Sequence, residues 1–355
     1  MSHTTRPSLR FTVAVIVSLA ALPVPTTASA QEAYVPERPV PGPLVAPPVH
    51  RAAVARGTRT ADGRPGPAYW QPYTRYDIDA RLDPETGEVM GRARITYENR
   101  SPSPLDVIVI NLYQNLHAPG AMRNESQEVT GGVTLQRVAA DGTELQQGPL
   151  SAGPAFVVDG TLMGIRPPES VPAGGTVELE VDWQFVVPQN GAGRMGHSNR
   201  EMYFLAYWFP RPVVYDDLRG WDAEPYLASA EFYDGYGDYE VRLNVPVGWT
   251  VMATGELQND EEVYTPAVRE RLDRAAISDE VVRIVSPDEL EAGTVTATPG
   301  SGRLTYLFHA TNVRDFTWTA SNVQSWDATS AVVAAHLQDK GADQAHAAPA
   351  RRRAF

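Results

Sequence analysis

What most constrains this chain is a period of two. In Tyr76-Asp77-Ile78-Asp79-Ala80-Arg81-Leu82 apolar and charged residues alternate without a break. Successive side chains of a strand point to opposite faces, so such a run buries one face and wets the other. Asp83-Pro84-Glu85-Thr86-Gly87 carries turn chemistry, and Val89, Gly91, Ala93, Ile95 and Tyr97 resume the same period. Val133 to Val138, Thr176 to Val187, Val281 to Val285 and Leu304 to His309 alternate likewise, while Leu105 to Leu112 is apolar on both faces and predicts a central strand. A helical period competes in Thr265 to Ala276, where Val268, Leu272 and Ala275 share one face and Arg269, Arg271, Asp273 and Arg274 the other. This predicts a short helix decorating a loop between strands. The fold class that follows is all-β, a large antiparallel β-domain of sandwich or saddle form.

The ends of the chain read differently. Residues 1–30 have a basic start, an apolar run from Phe11 to Leu22 and a small-residue exit at Ala28-Ser29-Ala30. That is the pattern of a signal peptide, cut after Ala30, and it predicts a secreted or periplasmic protein. The apolar run is short for a membrane span, and no later segment has the length for one. From 31 to 67 prolines are dense (Pro36, Pro39, Pro41, Pro43, Pro47, Pro48), which predicts an extended linker. With no cysteine, disulfides and thiolate zinc sites are excluded, so any metal would need histidines and carboxylates. The formal net charge is −13; losing the leader removes Arg6 and Arg10 and no acid, leaving −15. Nothing in that balance favours nucleic acid.

The stretch from Glu201 to Leu257 is dense in aromatic residues, among them Tyr203, Phe204, Tyr207, Trp208, Phe209, Tyr215, Trp221, Tyr226, Phe232, Tyr233, Tyr236 and Tyr239. Such a stretch is core or the wall of a pocket, and its hydroxyl and indole groups need hydrogen-bond partners. Tyr239 to Val245, the turn Pro246-Val247-Gly248 and Trp249 to Leu257 predict a β-hairpin.

Read in order, Trp208-Phe209-Pro210, Tyr215-Asp216-Asp217, Gly220-Trp221, Glu231-Phe232-Tyr233, Tyr239-Glu240-Val241 into Asn244-Val245-Pro246, and Ala253-Thr254-Gly255 resemble the aminopeptidase N family of zinc metallopeptidases. The resemblance is to their N-terminal β-domain and runs from about Tyr69 to Ala331. It implies a saddle-shaped β-domain over 68–316, the start of a thermolysin-like catalytic domain over 317–330, zinc in complete members and peptides as substrates. It also implies a carboxylate for the substrate's α-ammonium group about nine residues before the proline of the aromatic segment, which is Glu201 here. The competing reading of Glu201 is a solvated residue at the start of a strand.

The chemistry of such a peptidase is missing from this text. A zinc exopeptidase needs two imidazoles on one helical face in His-Glu-x-x-His, a third ligand and a proton-shuttling carboxylate. The histidines are His3, His50, His117, His197, His309, His336 and His346, and no two are four apart. Gly-x-Met-Glu-Asn, Gly-x-Ser-x-Gly and phosphate-binding glycine loops are absent too. No residue is therefore assigned as catalytic or metal-binding. The acids Asp216, Asp217, Asp222, Asp234 and Asp238 lie near turn glycines, where turn chemistry is the expectation over calcium. After Ser330 the text turns alanine-rich and ends in Arg351-Arg352-Arg353. Residues 331–355 are accordingly expected to be foreign to the fold, the product of a frameshift or early end between Ser330 and His336. The expected function is the N-terminal portion of an exported zinc aminopeptidase, inactive alone, with docking to a separate catalytic half in view. The alternative is a non-enzymatic β-module that binds peptide or protein.

Overall fold

Two long alternating runs, Tyr73–Asp83 and Glu88–Glu98, pair antiparallel through all eleven residues across the turn that ends in Gly87. The structure, a computed structural model, describes residues 45–229 and 232–331, and the backbone alone of 352–354. The chain divides into two units, Met1–Val45 and Ala46–Phe355, and every described element belongs to the second. The expected leader, residues 1–30, and most of the tail after Ala331 lie outside the described residues.

Eight strands form the great sheet, in the order Glu256–Leu257, Arg303–Val313, Gly237–Pro246, Tyr73–Asp83, Glu88–Glu98, Thr176–Val186, Thr134–Ala140, Thr143–Glu144. All neighbours are antiparallel except Tyr73–Asp83 and Gly237–Pro246. The alternation does what its period requires. Tyr76, Ile78, Ala80 and Leu82 are buried with Val89, Ala93, Ile95 and Tyr97, while arginines and acids of the other face pair across strands, as Arg92 does with Asp182 at 2.8 Å. Gly91 has a specific reason to lack a side chain: it faces Trp183 on the next strand, and a Cβ there would overlap the indole.

A five-stranded sheet, ordered Thr250–Ala253, Trp318–Ser321, Met202–Leu205, Met195–Ser198, Asn190–Gly191, and a four-stranded sheet, ordered Arg211–Pro212, Ile108–Asn111, Leu162–Arg166, Ala155–Asp159, contribute to the same apolar core. The interior strand expected at Leu105 to Leu112 is thus present but shorter, and it belongs to the small sheet. The expected helix is Pro266–Ala275, with Val268, Leu272 and Ala275 buried. No described helix is long and apolar enough to cross a membrane.

Two expectations are corrected. The hairpin around Pro246-Val247-Gly248 does not form. The turn is there, with Trp249 N–H donating to Pro246 C=O at 3.2 Å, yet Thr250–Ala253 pairs with Trp318–Ser321 of the other sheet. Both edges of Gly237–Pro246 are already occupied, by Tyr73–Asp83 and Arg303–Val313, so the returning strand has no free ladder. Gly255, at φ +92°, lets the chain pass against the carbonyl of His309, and Glu256–Leu257 then joins the great sheet. The extended linker expected over 31–67 is likewise interrupted, because Pro48–Arg56 is an α-helix. Proline at the first helical turn costs nothing, since the missing N–H has no intrahelical partner there, and Gly57 closes the helix in the left-handed conformation. Arg59 then holds the segment to the fold through a paired contact with Asp217.

Candidate functional site

The aromatic segment crosses between the sheets, and its buried polar groups are met one by one. Trp208 donates its indole N–H to the carbonyl of Phe316 at 2.9 Å, and its own carbonyl accepts the indole N–H of Trp183 at 3.1 Å. Phe209 meets Tyr76 and Tyr239 edge to face, and those two rings stack at 4.4 Å. Arg211, next in line after Pro210, is only 2 % exposed, with Asp315 at 2.8 Å and Asp234 at 3.4 Å. It also donates to the carbonyl of Arg314. Burial alone would pull the guanidinium down, but Tyr239, Asp315 and Asp234 more than reverse this, so it stays charged. Asp234 is pushed above the usual carboxylate range, first by burial, against the pull of Arg211. This cluster has the character of a buried ionic joint: its cation is enclosed and its acids face one another across it.

Beside the joint lies a cavity of about 180 Å³ between the chain at Tyr69 to Tyr76 and the chain at Pro212 to Asp216. Trp70 stacks on Tyr215 at 5.4 Å to form one wall. Tyr97 lines it too, 1 % exposed, and its hydroxyl has no hydrogen-bond partner among the described residues. Burial, with Tyr215 and Tyr76 adding to it, drives that phenol well above its ordinary pKa, so it is a neutral donor at any physiological pH. Tyr73 donates to Asp238 at 2.6 Å, and burial pushes its own hydroxyl up to about 12.

Glu201, the one residue expected to touch substrate, stands in the turn between Met195–Ser198 and Met202–Leu205, where Asn199 and Arg200 have positive φ. Its side chain is exposed, while its carbonyl accepts from Ser321 Oγ at 3.0 Å. It does not line the shallow groove of about 510 Å³ that runs over Leu205, Met252 and Trp318 of the same sheet. The suspected acids are engaged within the fold: Asp216 Oδ1 accepts from the N–H groups of Leu218 and Arg219, as an Asx turn does, while Asp217 is held by Arg59 from far along the chain. Burial works against ionisation of Asp217, but bonds from Arg59 and Thr58 outweigh it and leave its pKa below the usual range.

The described histidines do not converge on a zinc ion. His50 lies 3.2 Å from the carbonyl of Thr60, His117 donates Nδ1–H to the carbonyl of Glu128 at 2.8 Å, His197 packs on Tyr203, and His309 lies beside Glu240. Among the described residues no group of three or more His, Asp or Glu converges on a metal-sized site. His3, His336 and His346 lie outside the described residues. The described donor set does not fit the metal that the sequence resemblance implies.

Sequence reasoning missed Arg211 and the cavity. A cation directly after Trp208-Phe209-Pro210, inside so apolar a run, was the available signal, since a buried charge requires partners. The cavity left none, because it joins residues more than a hundred positions apart.

The described chain is an antiparallel, sheet-dominated β-domain. No protein-family model matches it, and no curated protein matches it in sequence. Among solved structures it is similar to an M1 zinc metallopeptidase from Deinococcus radiodurans, in a mutant form, at 12% identity and a TM-score of 0.40, over 73% of this chain and 44% of that one. A two-domain M1 zinc metallopeptidase mutant bound to L-arginine is similar at 11% identity and a TM-score of 0.36, over the same shares. This chain thus spans less than half the length of those proteins.

Proposed function

We propose that this chain is the β-portion of an aminopeptidase N-type zinc exopeptidase. It shapes one side of a peptide site, while the metal and the proton-shuttling carboxylate belong to a catalytic portion these 355 residues do not spell. The observation that carries this reading is the double role of the run from Trp208 to Gly255. It holds the residues that resemble the family, and it builds the joint of the fold, with Trp208 tied to both Trp183 and Phe316 and Gly255 placed where a side chain would collide. In this reading Glu201, exposed at its hairpin turn, is offered to the substrate's α-ammonium group, a role that suits a carboxylate. Residues 1–30 direct export and are then cut off after Ala30, and the β-portion docks against the catalytic one.

The purified chain is expected to release no 4-nitroaniline from alanyl- or leucyl-4-nitroanilide above the blank, with or without added zinc. Zinc-dependent turnover that co-purifies with the chain overturns the proposal. Mass spectrometry of the exported protein is expected to find Gln31 at its N-terminus.

A further inference from the structure

Most open sheet edges among the described residues are short. The great sheet ends in Glu256–Leu257 and Thr143–Glu144, the five-stranded sheet on one side in Asn190–Gly191, and the four-stranded sheet on one side in Arg211–Pro212, each of two residues. A short edge, or one that carries proline, offers little ladder to a passing strand. Trp326–Ala331 is different. It pairs on one side with Val282–Val285, in a small sheet separate from these, and its six residues include no proline. Left bare on the other side, it would be the longest open edge among the described sheets.

The strand is fixed in place from its first side. Trp326, Ala328 and Ser330 are buried, and Arg283 pairs with Asp327. The carbonyl of Ser278 accepts from Ser330 N–H at 3.0 Å, from Ser330 Oγ at 3.0 Å and from Thr329 Oγ1 at 3.2 Å. Backbone groups of a strand alternate in direction, so with Ser330 N–H turned to Ser278 those of Thr329 and Ala331 face the opposite edge. On that edge lies the backbone of Arg352–Ala354, antiparallel, with Thr329 opposite Ala354, Ser330 opposite Arg353 and Ala331 opposite Arg352. In this register the Ala354 and Arg352 N–H groups point into the ladder and that of Arg353 points away from it.

We propose that the edge of Trp326–Ala331 is an acceptor site for an extended peptide strand, occupied in this chain by residues 352–354 as a displaceable cover. Recognition of this kind runs through the main chain, so the register is read before any side chain. The cover reaches three of the strand's six residues, a ladder short enough to exchange. The inference rests on the sheet edge and does not depend on the peptidase reading.

Residue-resolved amide exchange on the full chain tests it. In the parent, Thr329 and Ala331 are expected to exchange more slowly than exposed amides. In Ala354→Pro, which removes the donor opposite Thr329, both are expected to exchange about tenfold faster, the loss of roughly one hydrogen bond, while Ser330 is unchanged. Arg353→Pro removes an N–H that faces away from the ladder and is expected to change them little. A synthetic peptide of residues 349–355 added to Ala354→Pro is expected to restore slow exchange at Thr329 and Ala331 saturably. If both amides exchange in the parent as exposed ones do, if the two proline variants behave alike, or if the peptide restores nothing, the edge is no acceptor and the proposal fails.

Discussion

The great sheet and the aromatic crossing from Tyr207 to Tyr236 hold together by opposite means. In the sheet, stability is spread thin. Each strand buries every second residue, the backbone ladder satisfies the polar groups, and the charged face carries many small cross-strand pairs such as Arg92 with Asp182 and Arg137 with Glu180. In the crossing, the chain forms only short bridges such as Tyr215–Asp216 with Gly220–Trp221, and a few buried side chains must do what a ladder does elsewhere. Trp208 and Arg211 each reach a backbone carbonyl in another segment, and the carbonyl of Trp208 accepts from Trp183 of the great sheet. A spread-out region tolerates loss of any one contact; a region held at points does not.

The contrast breaks most visibly at Arg211. Arg211→Met leaves Asp234 and Asp315 facing each other with no cation between them, and is expected to cost about 3–5 kcal/mol in urea unfolding. A loss comparable to that of an exposed arginine would mean the joint is ornamental. Next comes Trp208→Phe, which keeps a ring but strands the carbonyl of buried Phe316. A cost of about 1–3 kcal/mol is expected by the same measurement.

His117 sharpens the comparison through pH. Burial holds its imidazole below its ordinary pKa, though the bond to the Glu128 carbonyl resists this. The unfolded chain therefore takes up the proton first as pH falls below about 6.5, so stability present above that pH is lost on the way down to the folded value. The melting temperature is expected to fall between about pH 7.5 and pH 5.5, and less steeply in His117→Gln. Smallest of all, Arg242→Ala on the wet face of the great sheet removes its bond to Asp77 and is expected to cost under about 1 kcal/mol. A loss as large as that at Arg211 would erase the distinction between the regions.

The same contrast explains what could be read in advance. Strands whose pattern is local were legible, as Tyr76 to Leu82 and Val89 to Tyr97 were, because the alternation is itself the burial. The partner of a strand was less so: the turn at Pro246-Val247-Gly248 is real, but which ladder receives Thr250–Ala253 depends on Arg303–Val313 having taken the open edge. Prolines misled at Pro48, where the first helical position suits them. In the site, the turn role of Asp216 was legible because it reaches only two and three residues on. The partners of Arg211 were not, since its acids come from 23 and 104 positions away; the one local signal was a cation set in an apolar run.

The proposal is that this chain supplies the β-portion of a zinc exopeptidase while the metal is held by another portion. Equilibrium dialysis of the purified chain against zinc, followed by elemental analysis, tests that most directly. Zinc far below stoichiometric and lost on mild chelation is the predicted result. Tight, stoichiometric zinc would contradict it, and would mean that side chains kept apart here come together as ligands.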